Sequence, residues 1–112
     1  MSIQKWSEQI WVTQLADEPA FSDDMASLRD ETAKAEPMPD LVLDLSDVGH
    51  VSSSQLAQLL RLRKIVVDHG TRLRLAGPPD SVWAVFLATG LDKVFDFSEN
   101  VSTALAELQM QR

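Results

Sequence analysis

The chain has 112 residues, a length typical of one domain, and 45% hydrophobic and 24% charged residues are the composition of a globular protein. It contains no cysteine, which excludes disulfides, thiolate metal ligands and cysteine nucleophiles. Because there are only two histidines we expect no metal site, and the net charge of −7 disfavours a nucleic-acid partner, whose phosphates would be repelled.

The sequence also lacks the features of membrane and exported proteins. No apolar run approaches the ~20 residues of a membrane span. Residues 1–8 have neither the basic nor the apolar region of a signal peptide. We therefore expect a cytoplasmic protein without membrane insertion, folded as a single domain over residues 1–112.

The first third of the chain predicts two strands and a helix. A short strand is predicted over residues 3–6, and residues 9–15 are rich in β-branched and aromatic side chains, which favours a second strand. A helix is expected over residues 21–34, with Ser22 as its N-cap. Its apolar face is predicted to contain Phe21, Met25 and Leu28.

The middle of the chain has the strongest strand pattern. Residues 41–45 are nearly continuous in apolar side chains, as in a strand buried on both faces. A loop over 46–51 follows, and the serines at 52–54 open a helix expected over 54–69, which Gly70 ends. The predicted buried stripe of this helix is Leu56, Leu59, Leu60, Ile65 and Val66.

The last third of the chain continues the alternation of predicted strands and helices. Residues 71–76 predict a strand, and Pro79 is expected at the first position of a helix that Gly90 ends. A last strand is expected over 93–97 and a last helix over 98–108. This alternation of strands and helices predicts one α/β domain with a mostly parallel sheet and crossover helices.

The serines at the start of the second long helix are the best candidate site. In open α/β sheets functional groups gather at the carboxyl ends of strands, where loops lead into helix N-termini. One of the three serines is expected to be the N-cap. A neighbouring serine could still carry a phosphate, because the unpaired N–H groups of a helix N-terminus bind anions.

The stretch from Leu41 to Leu56 reads Leu-Val-Leu-Asp-Leu-Ser-Asp-Val-Gly-His-Val-Ser-Ser-Ser-Gln-Leu. It resembles the signature region of STAS domains, the anti-sigma factor antagonist family, in which a strand ending in Asp-Leu-Ser precedes Asp-Ser-Ser-Gly-Leu at a helix start. The resemblance covers about residues 9–108. It implies a (βα) superhelix that acts as a switchable protein-binding module, whose partner is a serine kinase that is also an anti-sigma factor.

The resemblance implies that Ser53 is the phosphorylated residue, with Ser52 and Ser54 as alternatives. The residues that it implies for partner binding are Asp17, Glu18, Ser22, Asp23, Ser52, Ser53, Ser54 and Gln55. Two positions depart from the family pattern, because Ser52 replaces its acidic residue and Gln55 its glycine. They favour an alternative, a non-phosphorylated STAS scaffold in a signalling assembly or bound to an ABC-type lipid transporter ATPase.

An enzymatic function is not expected. A triad of Ser53, His50 and Asp44 can be drawn, but the sequence has no Gly-x-Ser-x-Gly elbow and no glycine-rich oxyanion loop. Asp44 is interpreted as a structural residue at a strand end. We thus predict no catalytic residues and no cofactor. Trp83 remains either a core residue or a partly exposed interface anchor.

Overall fold

The computed structural model describes residues 3–110. The strands are β1 (Ile3–Gln4), β2 (Ile10–Ala16), β3 (Asp40–Asp47), β4 (Leu73–Ala76) and β5 (Asp96–Ser98). The helices are α1 (Ala20–Lys34), α2 (Ser53–Asp68), α3 (Asp80–Thr89) and α4 (Val101–Met110), with a short 3₁₀ helix at Leu91–Lys93.

The strands form one five-stranded sheet in the order β1-β2-β3-β4-β5. The β1 strand pairs antiparallel to β2, whereas β2, β3, β4 and β5 pair in parallel. A helix connects each parallel strand to the next, so the predicted α/β fold with a mostly parallel sheet is confirmed. The carboxyl ends of the parallel strands therefore meet at one edge, which we call the carboxyl edge.

The central strand β3 contributes to a core on each face of the sheet, as its continuous apolar sequence predicts. Leu41, Leu43 and Leu45 pack against apolar side chains from α1, α2 and α3, whereas Val42 points to the opposite face. There it packs with Ala104 and Leu108 of α4. Because side chains alternate across a strand, both halves of the core depend on the register of β3.

Two details of the helices differ from the sequence prediction. Ser22 is not the N-cap of α1, because the helix begins at Ala20 with Pro19 at the cap position. In α2 the buried stripe contains Leu62, whereas Leu60 is 38% exposed. Residues at positions 59, 62 and 66 follow the three- and four-residue spacing of one helix face, and position 60 lies to the side of that line.

The segments around α3 also begin later than predicted. Pro79 is the N-cap of α3 and not its first residue. After the left-handed Gly90, residues 91–93 form the 3₁₀ helix, and the amide of Val94 donates to the carbonyl of Leu91 at 3.0 Å. The last strand therefore begins at Asp96 and not at residue 93, because local turns use the backbone groups that a strand would need.

Leu43→Ala tests how strongly the core depends on the side chains of β3. Leu43 is fully buried, and loss of its side chain should lower the free energy of unfolding by about 2–5 kcal/mol, since the cavity adds to the lost burial. Urea denaturation measures the change. The matched control is Leu87→Ala in α3, which removes the same atoms from a side chain that is 52% exposed, and equal losses in the two variants would contradict this account.

Candidate functional site

The start of α2 is closed by a reciprocal pair of hydrogen bonds. The amide of Gln55 donates to Ser52 Oγ at 3.2 Å, and the amide of Ser52 donates to Gln55 Oε1 at 2.7 Å. This capping box satisfies two groups that the helix itself leaves unpaired. The expectation that one of the serines caps the helix is confirmed, and the serine is Ser52.

The other two serines are left at the surface. Ser53 and Ser54 are exposed in the first turn of α2, at the carboxyl edge of the sheet. Within residues 3–110 no hydrogen bond joins either hydroxyl to another group of the chain. Both hydroxyls can therefore be reached by a molecule approaching this edge.

Gln55 is buried, with 2% of its surface exposed. Its side chain turns back onto the backbone of Ser52 and does not point to solvent. Contact of Gln55 with a partner stays a prediction, and in this conformation the amide is used inside the capping box. Its bulk lies below the surface.

Asp17 joins the loop after β2 to the loop after β3. Its Oδ1 atom accepts hydrogen bonds from the amides of Gly49 at 2.9 Å and His50 at 3.2 Å. A Cβ atom at Gly49 would lie 3.3 Å from Asp17 Oδ2, so a larger residue would crowd this contact. Asp17 thus holds two loops of the carboxyl edge in one position.

Glu18 and Ser22 bind each other at the start of α1. The amide and hydroxyl of Ser22 donate to the Glu18 carboxylate at 2.8 and 2.6 Å. Ser22 Oγ also accepts from Gln58 Nε2 of α2 at 3.0 Å. Ser22 is thus half-buried and fully engaged between two helices, whereas Asp23 beside it is exposed.

Two further residues belong to this edge although the sequence analysis did not select them. Gln58 is 8% exposed and links α2 to Ser22. The sequence feature that could have identified Gln58 is its position as a polar residue on the buried side of an amphipathic helix. Ser81 of α3 donates from Oγ to the carbonyl of Gly49 at 3.2 Å, and no sequence pattern indicates that contact.

Asp44 makes a local structural contact, because its Oδ1 atom accepts from the amide of Ser46 at 3.0 Å. It does not end the strand as predicted, since β3 continues to Asp47. Over residues 3–110 no hydrogen bond connects Asp44, His50 and Ser53 as a triad would require. The same residues contain no group of three His, Cys, Asp or Glu side chains that could hold a metal ion.

None of the helices formed by residues 3–110 combines the length and the apolar character that crossing a bilayer requires.

Comparisons with known proteins assign the family. The sequence pattern of the STAS domain matches residues 5–104, and the chain therefore belongs to the STAS domain family. No curated protein sequence matches it significantly.

Solved structures share the fold over almost the whole chain. A Thermotoga maritima protein assigned as an anti-sigma factor antagonist has a TM-score of 0.82 at 20% identity, covering 96% of this chain and 92% of that one. A Ser-to-Glu variant of RsbS from Moorella thermoacetica has a TM-score of 0.77 at 21% identity, covering 100% of both chains. An anti-sigma factor antagonist (STAS) domain protein from Planctomyces limnophilus has a TM-score of 0.78 at 19% identity, with 96% and 97% covered.

Ser52→Ala tests the capping box. Loss of the hydroxyl should lower the free energy of unfolding by about 0.5–2 kcal/mol, because the Gln55 amide loses its acceptor. Thermal or urea denaturation measures the loss. The control is Ser53→Ala, one residue further along, whose hydroxyl has no such contact and whose change should stay within about 0.5 kcal/mol. A larger loss in Ser53→Ala than in Ser52→Ala would refute the assignment of the cap.

Asp17→Ala tests the connection between the two loops. Hydrogen exchange of the Gly49 and His50 amides should become faster, because these amides lose a charged acceptor. Nuclear magnetic resonance measures exchange at each amide. Asp23→Ala is the matched control, since it removes an exposed carboxylate from the first turn of α1. Unchanged exchange in Asp17→Ala would show that the loops hold their positions without this contact.

Proposed function

We propose that this chain is a cytoplasmic anti-sigma factor antagonist that binds a serine kinase and is switched by phosphorylation of Ser53. Membership of the STAS family supports a regulatory, protein-binding role. Two similar structures, from Thermotoga maritima and Planctomyces limnophilus, are assigned as anti-sigma factor antagonists, which supports an anti-sigma factor as the partner. The proposal needs no catalytic residue and no cofactor in this chain.

The observation that carries the proposal is the exposed Ser53 hydroxyl in the first turn of α2. A kinase must bring the terminal phosphate of a nucleotide to the hydroxyl that it modifies, so the residue has to be accessible without unfolding. Ser52 is half-buried and its oxygen already caps the helix. Ser54 is exposed as well, and the resemblance of the surrounding sequence to the family signature favours Ser53.

The position is suited to a phosphate. The first turn of a helix has unpaired N–H groups and a partial positive charge, which favour an added anion. The first turn of α2 contains no acidic residue that would oppose it. Phosphorylation would add a charge of about −1.5 to −2 at neutral pH, and α2 could accept this charge without loss of its capping box.

The added charge provides a physical reason for release of the partner. The partner surface that faces Ser53 must hold nucleotide phosphates during the transfer. A phosphoserine left at this position would repel those anions and would have to lose its hydration in the interface. The unphosphorylated chain is therefore the form that binds, and modification lowers the affinity.

The replacement of the family glycine by Gln55 does not oppose docking. The Gln55 side chain is buried in the capping box. A partner approaching the carboxyl edge therefore meets Ser53 and Ser54 and not a protruding amide. The replacement of the family acid by Ser52 leaves the hydrogen bonds of the helix start complete.

A second candidate is the non-phosphorylated scaffold, in a signalling assembly or on a transporter ATPase. The observation in its favour is Ser52, because a kinase that reads an acidic residue before its target finds none here. Affinity capture from native lysate separates the candidates. Recovery of a kinase-like anti-sigma factor supports the antagonist, and recovery of a transporter ATPase supports the scaffold.

The decisive test is phosphorylation by the cognate kinase with ATP. Intact-mass spectrometry should detect the addition of one phosphate to the natural chain. The addition should be lost in Ser53→Ala and retained in Ser54→Ala, the matched control with an equally exposed neighbouring hydroxyl. Phosphate on Ser53→Ala, or none on the natural chain with a kinase that binds it, would overturn the proposed switch.

A further inference from the structure

An open groove of about 400 Å³ lies at the carboxyl edge, beside the loop that leads from β4 into α3. Its apolar walls are formed by Pro78, Trp83 and Phe97, and Asp80 and Glu99 lie on its rim. We call it the aromatic groove. Pro78, Trp83 and Phe97 are each only half-buried, so apolar surface remains accessible here although most large apolar side chains are in the core.

The walls of the aromatic groove are fixed to the core. The Trp83 and Phe97 rings pack edge to face with centroids 4.9 Å apart and an interplanar angle of 81°. Phe97 in turn packs on the fully buried Phe86 at 5.0 Å. Rings held in this way lose little conformational freedom when another side chain packs on them, which is the property of interface anchors.

Exposed carboxylates predominate around the groove, whereas the guanidinium of Arg74, which bonds Ser98 and the carbonyl of Phe97, is largely buried and paired with Glu107. Carboxylates occupy the ends of the parallel strands and the loops that follow them; they are Asp17, Glu18, Asp44, Asp47, Asp80 and Glu99. The Lys and Arg side chains among residues 3–110 lie before strands, inside β4 or further along helices; they are Lys5, Arg29, Lys34, Arg61, Arg63, Lys64, Arg72, Arg74 and Lys93. The carboxyl edge is therefore an acidic surface with an apolar groove in it.

We propose that the aromatic groove binds an apolar side chain from a basic segment of the partner protein. The identity of that partner rests on the proposed function, whereas the chemistry of the segment follows from the groove. Asp80 and Glu99 attract cationic groups on either side of the anchoring side chain. A second copy of this chain fits less well, because two acidic edges facing each other would repel.

The segments that carry the groove and Ser53 are connected through the loop at Gly49. Ser81, in the first turn of α3, donates from Oγ to the carbonyl of Gly49. Gly49 lies in the loop that leads to Ser53, and Asp17 binds the same loop. A segment in the aromatic groove would therefore hold a partner at the same edge of the sheet as the hydroxyl, without needing contact with Ser53 itself.

A peptide of nine residues, a leucine with four lysines on each side, is the probe. It is titrated into the isotope-labelled full chain, and the indole N–H resonances of the tryptophans are followed by nuclear magnetic resonance. Trp83 should show a saturable shift. Trp6 is the internal control, because it is 42% exposed but precedes β2, away from the carboxyl edge.

Two variants, one of the peptide and one of the chain, separate the contribution of the apolar side chain from that of the charges. Replacing the central leucine of the peptide by alanine should weaken binding about tenfold through lost apolar burial. The double variant Asp80→Asn with Glu99→Gln should weaken it about threefold to tenfold, since two exposed ion pairs are lost. Both substitutions in the chain keep the size of the side chain and leave the aromatic walls in place.

Three results would overturn the inference. The first is the absence of a saturable shift of the Trp83 resonance. The second is equal affinity for the leucine and alanine peptides, because binding would then be unspecific charge attraction. The third is a Trp83 shift that depends on protein concentration without peptide, which identifies a second copy as the occupant. No kinase enters this experiment, so its failure is distinct from a failure of Ser53 to be phosphorylated.

Discussion

Strands β2, β3, β4 and β5 run in the same direction, and for this reason the loops that follow them meet at one edge of the sheet. Parallel pairing requires a crossover after each strand, and a helix that starts at the carboxyl edge provides it. The N-termini of α1, α2, α3 and α4 are therefore brought to the edge where the exposed serines lie. The position of the candidate site is a consequence of the topology.

The loops at this edge are held by side chains that bind backbone groups of a neighbouring loop. Asp17 accepts from Gly49 and His50, and Ser81 donates to Gly49. These contacts connect the segments after β2, β3 and β4 across the top of the sheet. Contacts of this kind restrict the relative movement of the three segments, which lowers the conformational entropy that binding a partner would cost.

The sequence predicts the parts of the fold that depend on apolar patterning. The continuous run at 41–45 identifies β3, and the glycines at 70 and 90 mark the ends of α2 and α3 as the structure has them. The burial of Gln55 was missed, although Ser52-Ser53-Ser54-Gln55 has the Ser-x-x-Gln spacing that is the sequence signature of a capping box. The sequence could not predict the Ser81 contact or the aromatic groove. The residues of both are brought together only when α3 packs against β5 and the loop after β3.

The capping box limits how a switch at this site can work. With Ser52 and Gln55 bound to each other, the start of α2 has its own stabilisation and does not need a phosphate to form. A phosphate on the neighbouring Ser53 would then change charge and hydration at a helix end that is already ordered. The proposed switch is therefore electrostatic and acts at the interface, and it does not require α2 to fold or unfold.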